Sequence, residues 1–213
     1  METGALPQAA ERAGTDAARA RAPRRDAELN RVRLIQAAAR VFGEHGTDAS
    51  VELVAARAGL GLATLYRRFA SKDALITELI LGLLHHMVET ARTETGTTDG
   101  LGFERWLAEY ARVQAINRGT LGRLWSQAPE TRAHKSELFT LLEALLADAK
   151  AHRRIRSDAH LNDVRLIIYA LRGIAESTRY DENGAWQRHL SVVLCGLRPT
   201  DDLASPWSPR DTP

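Results

Sequence analysis

Residues 51–69, VELVAARAGLGLATLYRRF, decide how the rest of the chain is read. Val51, Val54, Ala55 and Ala58 recur at steps of three and four, which predicts a short amphipathic helix with one inward face. Ser50 stands before it, where a hydroxyl can accept from a free amide of the first turn. Gly59 follows it, where a tight turn needs positive φ. A second short helix is expected over about 62–68, with Leu65 and Phe69 as its inward pair. The small side chain of Ala55 lets the second helix approach the first, and Leu60 and Leu65 fill the angle between them. Two short helices joined at such a turn form a helix-turn-helix, whose second helix enters the major groove of duplex DNA.

The charge distribution supports that reading. The whole chain carries 29 basic and 27 acidic residues, a net charge of +2 that hardly suggests a polyanionic partner. Residues 24–72 hold nine basic and five acidic residues, a surplus of +4. Residues 53–72 contain Arg57, Arg67, Arg68 and Lys72 and no acidic residue. Residues 73–213 carry −2 and residues 1–23 balance. The positive charge is concentrated where a phosphate backbone would lie.

Working outward, almost everything between the two ends reads as helix, with no strand pattern, so the fold class is all-α with about nine helices. The first helix is expected from about residue 27 to 44, with Val32, Ile35, Ala39 and Phe42 inward. Ser71 caps a long fourth helix reaching about residue 93, striped by Leu75, Ile76, Leu79, Ile80, Leu83 and Met87. Further helices are expected at about 103–117, 120–127, 130–152, 160–179 and 184–197. The four regions expected are a disordered tail over 1–25, a head over 26–72, a helical body over 73–197 and a C-terminal tail over 198–213. The lone Cys195 excludes an intrachain disulfide framework, and its place in the last helix suggests a buried small hydrophobe. No apolar run spans a bilayer and no secretory signal is visible, so no membrane partner and a cytoplasmic location are expected.

Residues 31–76, RVRLIQAAARVFGEHGTDASVELVAARAGLGLATLYRRFASKDALI, resemble the TetR family of transcriptional regulators. The matching features are an amphipathic helix ending in Phe42 and Gly46, the hydroxyl of Ser50, Ala58-Gly59 at the turn, Thr64-Leu65-Tyr66, and Phe69 followed by Lys72. A weaker resemblance, to the C-terminal domains of actinobacterial-type members, covers 134–158. The resemblance implies a DNA-binding head and a ligand-binding, dimerising body. The implied function is a sequence-specific regulator, a repressor released from a pseudo-palindromic operator by a small-molecule effector. It assigns DNA contact to Ser50, Gly61, Leu62, Ala63, Thr64, Tyr66, Arg67, Arg68 and Lys72. The sequence departs from the family at Gly61-Leu62-Ala63, where a hydroxyl residue, a polar or basic residue and Gly are usual. Leu62 and Ala63 cannot hydrogen-bond base edges, which leaves thymine methyls as groups they could contact. That departure keeps a second reading open, a helical small-molecule binder with degenerate or altered DNA recognition.

In the body, the resemblance implies a homodimer through the last two long helices, as a four-helix bundle across a two-fold axis. Their stripes are Val164, Ile167, Ile168, Leu171 and Ala175, then Trp186, Leu190, Val193 and Leu197. Candidate effector contacts are His86, Trp106, Tyr110, Trp125, Tyr169 and Arg172, large or polar residues on the middle helices. An enzyme finds little support, and no catalytic residue, metal ligand or cofactor is assigned. The chain lacks a His-Glu-x-x-His pair, a Gly-x-Ser-x-Gly elbow and a phosphate loop. His85 and His86 project about 100° apart on a helix and cannot share one metal from one face.

Overall fold

The alanine-rich N-terminal third forms a helix well before its apolar stripe begins. In the computed structural model, which describes residues 7–117, 129–177 and 184–199 and the side chains of 26–117, 129–175 and 184–199, α1 spans Pro7–His45. Periodicity starts this helix near residue 27 and predicts a disordered tail before it. The Ala and Arg of 7–25 are strong helix formers and Pro7 suits the first helical position, whereas Gly14 and Pro23 inside the segment oppose the helix.

The chain divides into Met1–Leu79 and Ile80–Pro213. The first unit holds α1, α2 (Val51–Ala58), α3 (Leu62–Arg68) and the opening turns of α4 (Lys72–Thr95). Its border lies two turns beyond the expected one at residue 72. The reason is packing: Leu75, Ile76 and Leu79 are buried, and Arg31 of α1 pairs with Glu78. The buried face of α1 is Leu34, Ala37, Ala38, Val41 and Phe42. Val32 is exposed and Ile35 and Ala39 are half-buried, so the stripe expected for α1 is displaced by about one residue. On this helix alanines supply much of the packing face, and they weigh little in a reading led by large side chains.

The second unit is built around α5 (Gly102–Ile116), which packs against α6 (Arg132–Ala151), α7 (Leu161–Ser177) and α8 (Ala185–Gly196). Phe103, Trp106, Leu107, Tyr110, Ala111, Val113 and Gln114 of α5 are all buried, as expected for a helix covered on most sides. Trp106 stacks on Tyr110 with ring centroids 5.4 Å apart, and its indole N–H donates to the Met87 carbonyl at 3.0 Å. Gly100 has φ +75°, and a Cβ there would clash with the His152 side chain. Its amide donates to Asp148 at 2.9 Å, so glycine permits the loop before α5 to sit against the end of α6. Pro129 opens a 3-10 turn, Pro129–Thr131, ahead of α6.

The described residues form eight α-helices with no strand, close to the nine expected. The expected helix at 120–127 lies outside the described residues, as do Trp125 and the tail from residue 200. The α4 helix is long and apolar enough to match a membrane span, against the sequence expectation, but 44% of its apolar window is already buried in the protein. Met87, Val88 and Ala91 lie in the core, the behaviour of an ordinary core helix.

Two expectations for the body are corrected. Val164, Ile167, Ile168, Leu171 and Ala175 are buried within one chain, so the α7 stripe packs the protomer; of the α8 stripe Leu190 is buried and Trp186, Val193 and Leu197 are half-buried. Cys195 is exposed in the single chain and not buried. The apolar side chains that α7 and α8 leave uncovered are Leu166, Tyr169 and Val192, at 65%, 49% and 54% exposure.

Candidate nucleic-acid interface

The turn between α2 and α3 has the geometry that its sequence requires. Ser50 is the N-cap of α2, and its hydroxyl accepts from the Leu53 amide at 3.3 Å. Gly59 closes α2 with φ 68° and ψ 32°, a left-handed conformation that costs a side-chain-bearing residue about 1–2 kcal/mol. The Gly59 amide donates to the Ala56 carbonyl and the Leu60 amide to the Ala55 carbonyl, which satisfies the end of the helix. Val51, Val54 and Ala55 of α2 and Leu65 and Phe69 of α3 are buried, while Ala58 and Leu60 are half-buried.

With Leu65 held inward, α3 turns Leu62, Ala63, Tyr66, Arg67 and Arg68 outward. Thr64 is half-buried. Gly61 is the N-cap of α3 and supplies no side-chain cap. Ser71 does supply one for α4, accepting from the Ala74 amide at 3.1 Å. Lys72 is the first residue of α4, with its ammonium 5.9 Å from the Phe42 ring centroid. The helix N-terminus, with its free amides and positive dipole end, adds to that charge.

The head's cations fall into two groups. Arg57 is committed: its guanidinium lies 2.9 Å from the Glu44 carboxylate. The hydrogen bond from Arg57 holds the Glu44 carboxyl below its ordinary value. Arg31 is held by Glu28 and Glu78. Arg67, Arg68 and Lys72 have no ion-pair partner among the described residues, and neither do Arg33 and Arg40 on α1. The sequence count treated all these charges alike. The structure adds Leu53, 39% exposed on α2, an apolar residue that the sequence reading did not single out because a stripe reports only which side is buried.

The effector candidates do not converge on one place. Trp106 and Tyr110 are buried core, with Gln114 donating to the Tyr110 hydroxyl. His86 is exposed, its Nε2 2.7 Å from Glu109. Arg112, and then His86, hold the Glu109 carboxyl down at about 2. Tyr169 is exposed on α7, with Arg172 5.7 Å from its ring centroid. A groove of about 690 Å³, lined in part by Arg156, His160, Asp163, Leu166, Val193 and Gly196, lies beside that face, and none of the five candidates among the described residues lines it.

Residues 34–79 match the family model described as bacterial regulatory proteins of the tetR family. Residues 100–199 match a second model, the C-terminal domain of SbtR-like transcriptional regulators. The chain belongs to the TetR family. It is therefore a DNA-binding transcriptional regulator and not an enzyme, and members of its family are repressors with ligand-binding C-terminal domains. Among solved structures, a TetR transcriptional regulator from Streptomyces coelicolor is similar at 29% identity and TM-score 0.60, over 80% of this chain and 99% of that one. A TetR regulatory protein from Mycobacterium vanbaalenii shares the fold at 24% identity and TM-score 0.62, over 83% and 99%. A ketosteroid transcriptional regulator of Mycobacterium tuberculosis does so at 21% identity and TM-score 0.57, over 80% and 95%. No curated protein matches the chain.

Proposed function

We propose that this regulator docks α3 in the major groove of an operator, with Arg67, Arg68 and Lys72 on phosphates. The carrying observation is that these three cations stand without carboxylate partners beside an intact helix-turn-helix. Ser50 serves as the cap of α2 and can offer its hydroxyl to a phosphate; Thr64 and Tyr66 contribute hydroxyls beside the reading face. The intact turn favours altered recognition at Gly61–Ala63 over its loss. The body forms the homodimer through α7 and α8, with Leu166, Tyr169 and Val192 as its apolar contacts. Such a dimer would present two recognition helices about 34–36 Å apart to a pseudo-palindrome. An effector bound in the body releases DNA only if it binds the DNA-incompetent state more tightly than the competent one. The location that goes with this role is the cytoplasm.

The test is a shift assay on the DNA upstream of the regulator's own gene, alongside sedimentation of the free protein. Salt-sensitive binding by a dimer is expected. Absence of binding at low salt would sink the DNA docking. Leu166→Glu with Val192→Glu should yield monomers, and a double variant that stays dimeric would move the interface elsewhere.

A further inference from the structure

The first turn of α3 faces outward yet offers DNA no hydrogen-bonding side chain. Gly61 has none, Leu62 is 36% exposed, and Ala63 is exposed beside it. Single apolar residues on a surface are ordinary. These two adjoin Tyr66, one turn on and 49% exposed, and are followed by Arg67 and Arg68, which lack carboxylate partners. An apolar tip next to unpaired cations suits a polyanion that also carries an apolar mark. In the major groove every base presents donors or acceptors, and the apolar mark is the C5-methyl of thymine. The N-terminal residues of a recognition helix are those that reach base edges.

The geometry points to thymine methyl groups as what the head reads: Leu62 and Ala63 pack on them in each half-site, and Arg67 and Arg68 hold the flanking backbone. The inference rests on the major-groove docking of α3 proposed above. It makes Leu62 a specificity-determining residue that acts without a hydrogen bond. It also separates two ways of preferring A·T pairs. Readout through groove shape and deformability depends on the base step, whereas readout through the methyl depends on one carbon.

The experiment uses the full chain and a random-sequence duplex library. Enriched duplexes are remade with single thymine-to-uracil changes, which remove the methyl and keep the pairing. Loss of a buried methyl should weaken binding about fourfold at one or two positions in each half-site. Replacing such a T·A pair by 5-methylcytosine·G should retain more affinity than replacing it by C·G. In Leu62→Ser the same uracil change should have no effect at the position Leu62 covers. That variant's folding is checked by its melt and by salt-dependent binding to non-specific duplex. Enriched sites that tolerate every uracil change, or a Leu62→Ser protein that remains equally uracil-sensitive, would overturn the methyl readout while leaving DNA docking intact. Salt-dependent binding with no enrichment would also overturn it. No binding to any duplex would overturn the docking with it.

Discussion

Arginine is used in two ways in this chain, closed onto a carboxylate or left open, and the head and the body each hold both kinds. In the body, Arg92, Arg105, Arg112, Arg156 and Arg198 close onto carboxylates, whereas Arg132, Arg153, Arg154, Arg165 and Arg188 have no carboxylate partner among the described residues. Arg92 pairs with Glu89 and Glu137, Arg105 with Glu94 and Asp99, Arg112 with Glu109, and Arg198 with Glu104. Some of these pairs tie separate elements together: Arg105 links the end of α4 and the following loop to α5, Arg92 links α4 to α6, and Arg198 links the residues after α8 to α5. In the head, Arg57 and Arg31 are tied in the same way, whereas Arg67, Arg68 and Lys72 are not. A net charge therefore says less than the fraction of it already answered within the protein. An answered arginine presents a nearly neutral pair to a distant phosphate; an unanswered one releases a counterion on binding.

The largest effect that would sharpen this contrast lies in the body, where packing matters more than charge. Trp106→Ala removes a fully buried ring, its stack on Tyr110 and its bond to Met87. Thermal or denaturant unfolding should show a loss of about 3–5 kcal/mol. A loss below about 1 kcal/mol would mean that α5 is not the centre of the core.

The next effect tests the contrast itself. Arg67→Ala and Lys72→Ala should each weaken DNA binding and lower the magnitude of its logarithmic salt slope by about one. Arg112→Ala, which breaks a body pair, should leave that slope unchanged. Equal slopes in all three variants would erase the distinction between paired and unpaired arginine.

The smallest effect is a pH dependence. Glu109 titrates at about 2 in the folded protein against an ordinary 4.5, through Arg112 first and His86 second. A depressed carboxyl adds stability above its unfolded value and loses it as pH falls through the folded one. Melts recorded between those two values should therefore decline more steeply in the native chain than in Glu109→Gln. The pair is solvent-screened, so the difference should stay below about 1 kcal/mol. Parallel declines would show that Glu109 contributes nothing.

Legibility in the sequence followed how local each determinant is. The α2–α3 turn was legible to the residue, because Gly59, Ala55 and Ser50 each answer a backbone requirement within a few positions. The buried face of α4 was largely legible too, since large side chains mark it, whereas Trp106 and Tyr110 of α5, effector contacts by sequence, are core. The buried face of α1 was misread because Ala37 and Ala38 pack as well as larger residues once a neighbour comes close. On α7 and α8 periodicity located the buried face, but burial within a chain and burial against a partner leave the same stripe. Only the structure separates Ile168, inside, from Leu166 and Tyr169, outside. Pairing across elements, such as Arg57 with Glu44, was invisible for the same reason.

Arginine provides 26 of the 29 basic residues, and the only lysines are Lys72, Lys135 and Lys150. Lys72 is thus the sole side-chain primary amine of the first unit, and it stands at the start of α4, half-buried, with its ammonium over the Phe42 ring. Amine acylation has one side-chain target in the head. DNA laid across it would protect that single position, so the protein carries a built-in chemical reporter of its own occupancy.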